Sequence, residues 1–389
     1  MKSVCAVICE YNPMHLGHVR HLAETRGQTG CGAVALVMSG SVVQRGEFAI
    51  LDKFTRTEIA LANGADLVLE LPTAFACAAA DDFALYAVKI AAALPFVTHL
   101  SFGSGCGDTA KLLRTREILD REEFRGALCE NLGAGNSYAE AYHDAARDAL
   151  GAQELGEILS DSNDLLALSY LKAIQATGAN LSPVAIKRSG SYNSEKLPES
   201  PLDISASAVR RHADDLKIAD YVPEGTLRAL GNRSAVSESE YYAMLRARLL
   251  AASPEKLKRV AGMGEGLENR LRAKCGAPDF SAYLDAVSTK RYSRSRIRRT
   301  LLRALFGITG DLLDRAKQAP PLLRVLGVKK GREELLSGYP AFLSPAEGGS
   351  LAAPLNELAA LDALAFNLRA LLSEPGAFNR EYTRGLIKV

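Results

Sequence analysis

An α/β fold is predicted, with a mainly parallel sheet in residues 1–222 and a mostly helical part over 223–389. Three observations carry this reading. Apolar runs of six or seven residues alternate with helical stretches through the first half, which is the pattern of βαβ units. The chain is 48% hydrophobic but only 6% aromatic and has no Trp, so Leu, Ala and Val must fill the core. Beyond Pro223 strand-length apolar runs stop and helical patterns take over.

Val4–Cys9 is the first strand, followed by the turn Glu10–Tyr11–Asn12–Pro13 and then His15–Leu16–Gly17–His18, which leads into a helix. Gly32–Met38 is the second strand, and Ser39–Gly40–Ser41 turns into a polar loop, Val42 to Glu47. Asp52 opens a helix that runs to Ala62, where Asn63–Gly64 ends it. Asp66–Leu71 is the third strand, Asp81–Leu94 a helix, and Val97–Phe102 the fourth strand. Thr109–Leu159 is polar and helical. Ser162–Asn163–Asp164 caps an amphipathic helix, Leu165–Ala176, and Ser182–Lys187 is the fifth strand. The apolar stretch Phe83–Val97 contains Lys89 and Pro95 and is too short to span a bilayer. The first strand begins at once, so no signal peptide is expected. Seven scattered Cys suggest reduced thiols in a cytoplasm rather than a disulfide framework.

A strand that turns into a helix N-terminus offers unpaired N–H groups and a partial positive charge, which suits phosphate. His15 and His18, three positions apart, share one face of the helical turn and can donate to phosphoryl oxygens. Gly17 lacks a Cβ, so a base or ribose can lie against the backbone. His21 adds a third imidazole, but no Cys or acidic residue stands at zinc spacing, and no metal site is assigned. The loops at the other strand ends, with Ser39–Gly40, Gln44–Arg45, Glu70 and Gly103, are expected to converge above this turn. Arg45 and Lys53 are read either as solvated loop charges or as part of that convergence. Further on, Lys187–Arg188 ends a strand, and Ser205–Ala206–Ser207 precedes a helix that carries Arg210. Hydroxyl, helix start and guanidinium make a second phosphate clamp.

The paired clamps resemble those of the nucleotidylyltransferase superfamily. EYNPMHLGH, SGSVVQRGE, DKFTRTE, NGADLVLELP, FGS, SNDLLALSYLKA, DISASAVR and KRYSRSRIRRTLL, in this order, are similar to the tRNA(Met) cytidine acetate ligase family. The matches span roughly residues 4–332. Asn193 is a slight departure, since a His is expected after the Tyr there.

The resemblance implies a Rossmann-like (HUP-type) sheet and a two-step reaction. Acetate attacks the α-phosphate of ATP, and the acetyl group then passes to the wobble cytidine of elongator tRNA(Met), giving N(4)-acetylcytidine. It implies His15 and His18 as catalytic residues that stabilise the α-phosphate. It implies ATP binding by Val7, Ile8, Cys9, Glu10, Tyr11, Asn12, Pro13, Met14, His15, Leu16, Gly17, His18, Val19 and Arg20. Gly103, Asn163, Arg188, Ser205, Ser207 and Arg210 join them. Mg²⁺ is expected with ATP.

Net charge is only +2, so composition alone implies no nucleic-acid partner. The distribution does. Seven basic residues fall between 290 and 303, with no acid from Ala286 to Gly310. Lys290, Arg291, Arg294, Arg296, Arg298 and Arg299 are therefore expected to bind tRNA phosphates. Arg324, Lys329, Lys330 and Arg332 form a second basic patch that would extend this surface. The alternative, a small-molecule adenylyltransferase, shares both clamps but has no need of the basic helical half.

Overall fold

The computed structural model describes residues 3–136, 138–150, 158–159, 161–188, 195–290, 292–344 and 351–389. Among these, a sheet of seven strands runs in the order β7-β6-β1-β2-β5-β8-β9. The strands are β1 Val4–Cys9, β2 Ala33–Ser39, β5 Leu67–Leu71, β6 Val97–Ser104, β7 Ser182–Lys187, β8 Val325–Val328 and β9 Ile387–Lys388. A separate hairpin pairs β3 Val42–Val43 with β4 Glu47–Phe48.

The first five strands of the large sheet are parallel to one another, as expected. The central strands β1, β2 and β5 are mostly apolar and buried because both faces are covered, and successive side chains go to opposite sides. Val4, Ala6, Ala35, Val37, Leu67 and Leu69 join one core with Phe83, Ala84 and Ala87 of the Ala80–Ala92 helix. Cys5, Val7, Val34, Leu36 and Val68 join the other with Leu22, Phe54 and Ile59 from the helices Leu16–Thr29 and Lys53–Ala62. Asp52 caps the latter helix, accepting from the N–H groups of Phe54 at 2.8 Å and Thr55 at 3.1 Å. The sheet reverses direction of growth between β1 and β6, so the crevice at their carboxyl ends is where ligands collect in such folds. The HLGH turn and Gly103 lie at those two ends.

Three expectations need correction here. Strands were not expected beyond 223, yet β8 pairs antiparallel with β5, and β9 pairs parallel with β8. The second basic patch is not one surface, since Lys329 and Lys330 are exposed but Arg324 is not. Arg324 is buried at 1% exposure and pairs with Glu70 at 3.1 Å and with Glu381. Lys53 is likewise fully buried, 2.7 Å from Glu70 and 2.5 Å from Glu381, so it is neither a solvated loop charge nor part of the strand-end crevice. Asp362 lies near this cluster and accepts from the Thr73 N–H at 2.6 Å. Burial, with Glu70 close, pushes its carboxyl up to about 8, so two cations face two carboxylates. No helix among the described residues is long and apolar enough to cross a membrane.

Candidate active site

The turn after β1 is held by groups from three other segments. Buried Arg56 donates to the carbonyls of Glu10 at 2.6 Å and Ser39 at 2.9 Å, and also to that of Gly40. It thereby staples the ends of β1 and β2 together. Asn12 Oδ1 accepts from the Ile50 N–H at 2.7 Å, and its carbonyl accepts from Arg210 at 2.8 Å. Tyr11 sits at φ 45°, a left-handed conformation costly for a residue with a Cβ. That conformation places its ring 4.7 Å from the ring of His18.

His15 is the N-cap of the Leu16–Thr29 helix and His18 is in its first turn. The His15 N–H donates to His18 Nδ1 at 3.3 Å, so a neutral His18 carries its proton on Nε2. The two rings stack 3.6 Å apart. His15 is 1% exposed, and neither ring nitrogen has a hydrogen-bond partner among the described residues. Burial, with Arg188 and Arg210 nearby, pushes its imidazole down to about 3. His18 is pushed well down by burial and then by His15. His21 falls to about 4 by burial and Arg188, and its Nε2 lies 3.0 Å from Ser101 Oγ. Three neutral imidazoles therefore line one wall, ready to donate to an anion. A Cβ on Gly17 would stand 2.8 Å from the Leu202 carbonyl and 3.0 Å from the His15 ring. This glycine is required by the close approach of protein atoms.

The opposite wall is built at the end of β6. A Cβ on Gly103 would meet the Arg188 side chain at 2.9 Å, and Arg188 donates to Asn163 Oδ1 at 3.1 Å. The structure thus brings these three expected residues together. Asp161, not the expected Ser162–Asp164 segment, caps the helix, accepting from the N–H groups of Asn163 at 2.7 Å and Asp164 at 3.2 Å. That frees the buried Asp164 carboxylate to accept from Ser104, the Gly105 N–H at 2.9 Å and the Cys106 N–H at 3.0 Å. The loop after Gly103 is fixed by a residue the sequence marked only as a cap.

Val7, Ile8, Cys9, Glu10, Tyr11, Asn12, His15, Gly17, His18 and Arg20 line one cleft together with Gly103, Asn163 and Arg188. Pro13, Met14, Leu16 and Val19 are not among its lining residues. Met14 packs in the core, and the Leu16 N–H is taken by the Tyr221 carbonyl at 3.0 Å. Ser205, Ser207 and Arg210 also stand outside the lining, whereas Asp203, Ile204 and Ala206 are in it. Ser205 Oγ accepts from the Ala208 N–H at 3.0 Å, a helix cap, and Arg210 reaches Ser207 Oγ at 3.2 Å. Glu70 does not converge on the cleft, because the buried cations draw it away. Gln44 does reach it, as do Phe83 and Tyr170, which the sequence did not single out. Residues 189–193 lie outside the described residues. Among the described residues no group of His, Cys, Asp or Glu is arranged to hold a metal ion.

The basic segment forms the helix Arg294–Phe306, capped by Ser293. Lys290, Arg294 and Arg296 are exposed, and Arg291 lies outside the described residues. Arg294 pairs with Asp285 at 3.0 Å, and Arg296 lies 4.5 Å over the Tyr292 ring. Arg298 and Arg299 are half-buried against the hairpin. Arg298 meets Glu47 at 3.4 Å, and Arg299 donates to the Gln44 carbonyl at 3.5 Å. Gly46, at φ 80°, lies so close that a Cβ would stand 2.5 Å from the Arg299 nitrogen. These two arginines are partly committed within the protein.

The HIGH nucleotidyl transferase family model matches residues 1–342. The tRNA(Met) cytidine acetate ligase of Clostridium perfringens is 35% identical over 348 residues, covering 86% of each chain. That of Thermoanaerobacter sp. is 36% identical over 345 residues, covering 86% of this chain and 85% of the relative. The chain belongs to the tRNA(Met) cytidine acetate ligase family. A solved structure of Thermotoga maritima TmcAL bound with alpha-thio ATP shares 27% identity. It has a TM-score of 0.86 and covers 100% of this chain and 99% of that one. The apo form of the same protein gives 28% identity and a TM-score of 0.87, with the same coverage. The ligase family resemblance on the sequence motifs and the α/β architecture therefore agree with these relatives.

Proposed function

We propose that this chain activates acetate with ATP and transfers the acetyl group to the wobble cytidine of elongator tRNA(Met). The observation that carries this is His15, a buried imidazole with both nitrogens unpartnered, stacked on His18 at the switch point of the sheet. An acetate oxygen attacks the α-phosphorus, the bond to the β-phosphate bridging oxygen breaks, and pyrophosphate leaves. His15 and His18 donate to the oxygens that gain charge in the pentavalent state. Arg188, fixed by Asn163 and passing close against Gly103, neutralises phosphate. Arg210 and Ser207 sit beside the turn, where they serve the leaving β- and γ-phosphates. The cytidine N4 lone pair then attacks the acyl carbon, AMP leaves, and the amine loses its proton. Acyl-adenylate is already activated, so no Cys or Ser nucleophile is required. Mg²⁺ would enter with the triphosphate; the described residues supply no carboxylate cage for it, and no step is assigned to it. Lys290, Arg294 and Arg296 supply exposed charge for tRNA phosphates.

The test is to incubate the protein with ATP, labelled acetate and total tRNA, digest the RNA and identify the labelled nucleoside. N(4)-acetylcytidine in elongator tRNA(Met) is expected. Label that never enters RNA, with an adenylylated small molecule instead, would overturn the reading.

A further inference from the structure

Gln44 stands at the tip of the β3–β4 hairpin, and its main chain is fastened from both sides. Its N–H donates to Glu10 Oε1 at 2.7 Å, and its carbonyl accepts from Arg299 at 3.5 Å. The hairpin itself is anchored by Glu47, which lies between Arg298 at 3.4 Å and Arg210 at 3.9 Å. Phe48 adds edge-on contacts with Tyr241 and Phe306 at 5.9 and 6.2 Å. On this fixed base the Gln44 side chain lines the cleft that holds His15 and His18. Its amide Nε2 is buried and has no hydrogen-bond partner among the described residues. Buried donors in folded proteins are nearly always satisfied, so one left open in a substrate cleft is available to a substrate acceptor.

We propose that Gln44 positions the acid, its Nε2 donating to a carboxylate oxygen of acetate and then to the acyl oxygen of the adenylate. This assignment rests on the ligase reading. Two features favour the acid over the triphosphate as the acceptor. Arg20, Lys187 and Arg188 line the cleft and Arg210 stands beside it, and phosphates take these cationic donors in preference to a neutral amide. Beside Gln44 stands the Glu10 carboxyl, its pKa raised by burial, which already takes the Gln44 N–H and offers a phosphate no cationic donor. A neutral donor also suits the chemistry. The acid loses its charge as it becomes an acyl phosphate. A guanidinium in that place would stabilise the carboxylate nucleophile and oppose its attack, whereas an amide holds the oxygen in both states.

The test is acetate-dependent ATP–pyrophosphate exchange by the full chain, comparing wild type with Gln44→Met, which keeps the side-chain length and the main-chain bonds but removes the donor. The KM for acetate should rise about 10- to 100-fold, the effect of losing one hydrogen bond to a charged group. The KM for ATP should move by less than about 2-fold on the same reasoning. ATP should still raise the melting temperature of the variant, which shows that fold and nucleotide cleft are intact. If the KM for ATP rises instead, the amide reads the nucleotide and the assignment is overturned. Unchanged constants for both substrates overturn it too. If the wild type shows no acetate-dependent exchange at all, the ligase reading itself has failed, and this one with it.

Discussion

At the scale of single residues, the site depends on imidazoles that are neutral before any ligand arrives. Replacing His18 by Ala should lower acetate-dependent pyrophosphate release by about 10²-fold or more, the usual effect of removing a transition-state donor. The fold should persist, which circular dichroism will check, because His18 faces a cleft and is not packed in a core. Near-normal turnover would remove His18 from the mechanism. His15 makes a second expectation, on pH. Its folded value of about 3 lies below the ordinary 6.5, so in between the unfolded chain holds a proton that the folded chain does not. Stability must therefore fall as pH drops from about 7 toward 4. His15→Gln should flatten that slope in denaturant titrations across this range, and an unchanged slope would contradict the buried neutral imidazole. The motif was legible because its letters and its place after the first strand coincide. Its partners were not. Arg56 reads as one more helix charge, and only the packed structure turns it onto the carbonyls of Glu10 and Ser39.

At the scale of elements, the hairpin Val42–Phe48 joins the cleft to the basic helix. The density of charge from Lys290 to Arg303 was visible locally. The carboxylate that answers Arg298 lies 251 positions away, where no local pattern can point to it. Arg296 and Arg299 should therefore behave differently. Arg296→Ala should reduce the salt slope of tRNA binding by about 1, the loss of one phosphate contact. Arg299→Ala should also raise the KM for acetate, because the Gln44 carbonyl loses its donor. Equal behaviour of the two variants in both assays would mean that the hairpin does not connect the surfaces. The first five strands were readable as mainly apolar runs with turn residues such as Gly, Pro or Asn close behind them. The hairpin strands and β9 are two residues long, and β8 is four residues beside Arg324 and Lys329, so neither period nor length marks them.

At the scale of the whole molecule, the buried charges decide what can be cut away. We propose that residue 222 separates two functions and not two folding units. A fragment that ends there lacks Arg324, Glu381 and both antiparallel-side strands, and leaves Lys53 and Glu70 facing an open edge. It should be insoluble or fail to show a cooperative unfolding transition, and a well-folded fragment would contradict this. Within the full chain, Glu381→Ala should cost about 3–5 kcal/mol in denaturant unfolding, because it strands two buried cations with one carboxylate. A loss comparable to that of a surface ion pair would show that water enters the cluster.

The span of that cluster has a consequence for how the protein is made. Lys53 and Glu381 are separated by 328 positions, so at ordinary ribosomal speed the cation waits on the order of 15 to 65 s for its last counter-charge. During that interval the parallel strands exist and the edge that β8 and β9 will cover is bare. The nascent chain is then an unfinished sheet with a wet lysine where its interior will be. Slowing translation near the end, or depleting the chaperones that shield such edges, should reduce yield more than activity per folded molecule.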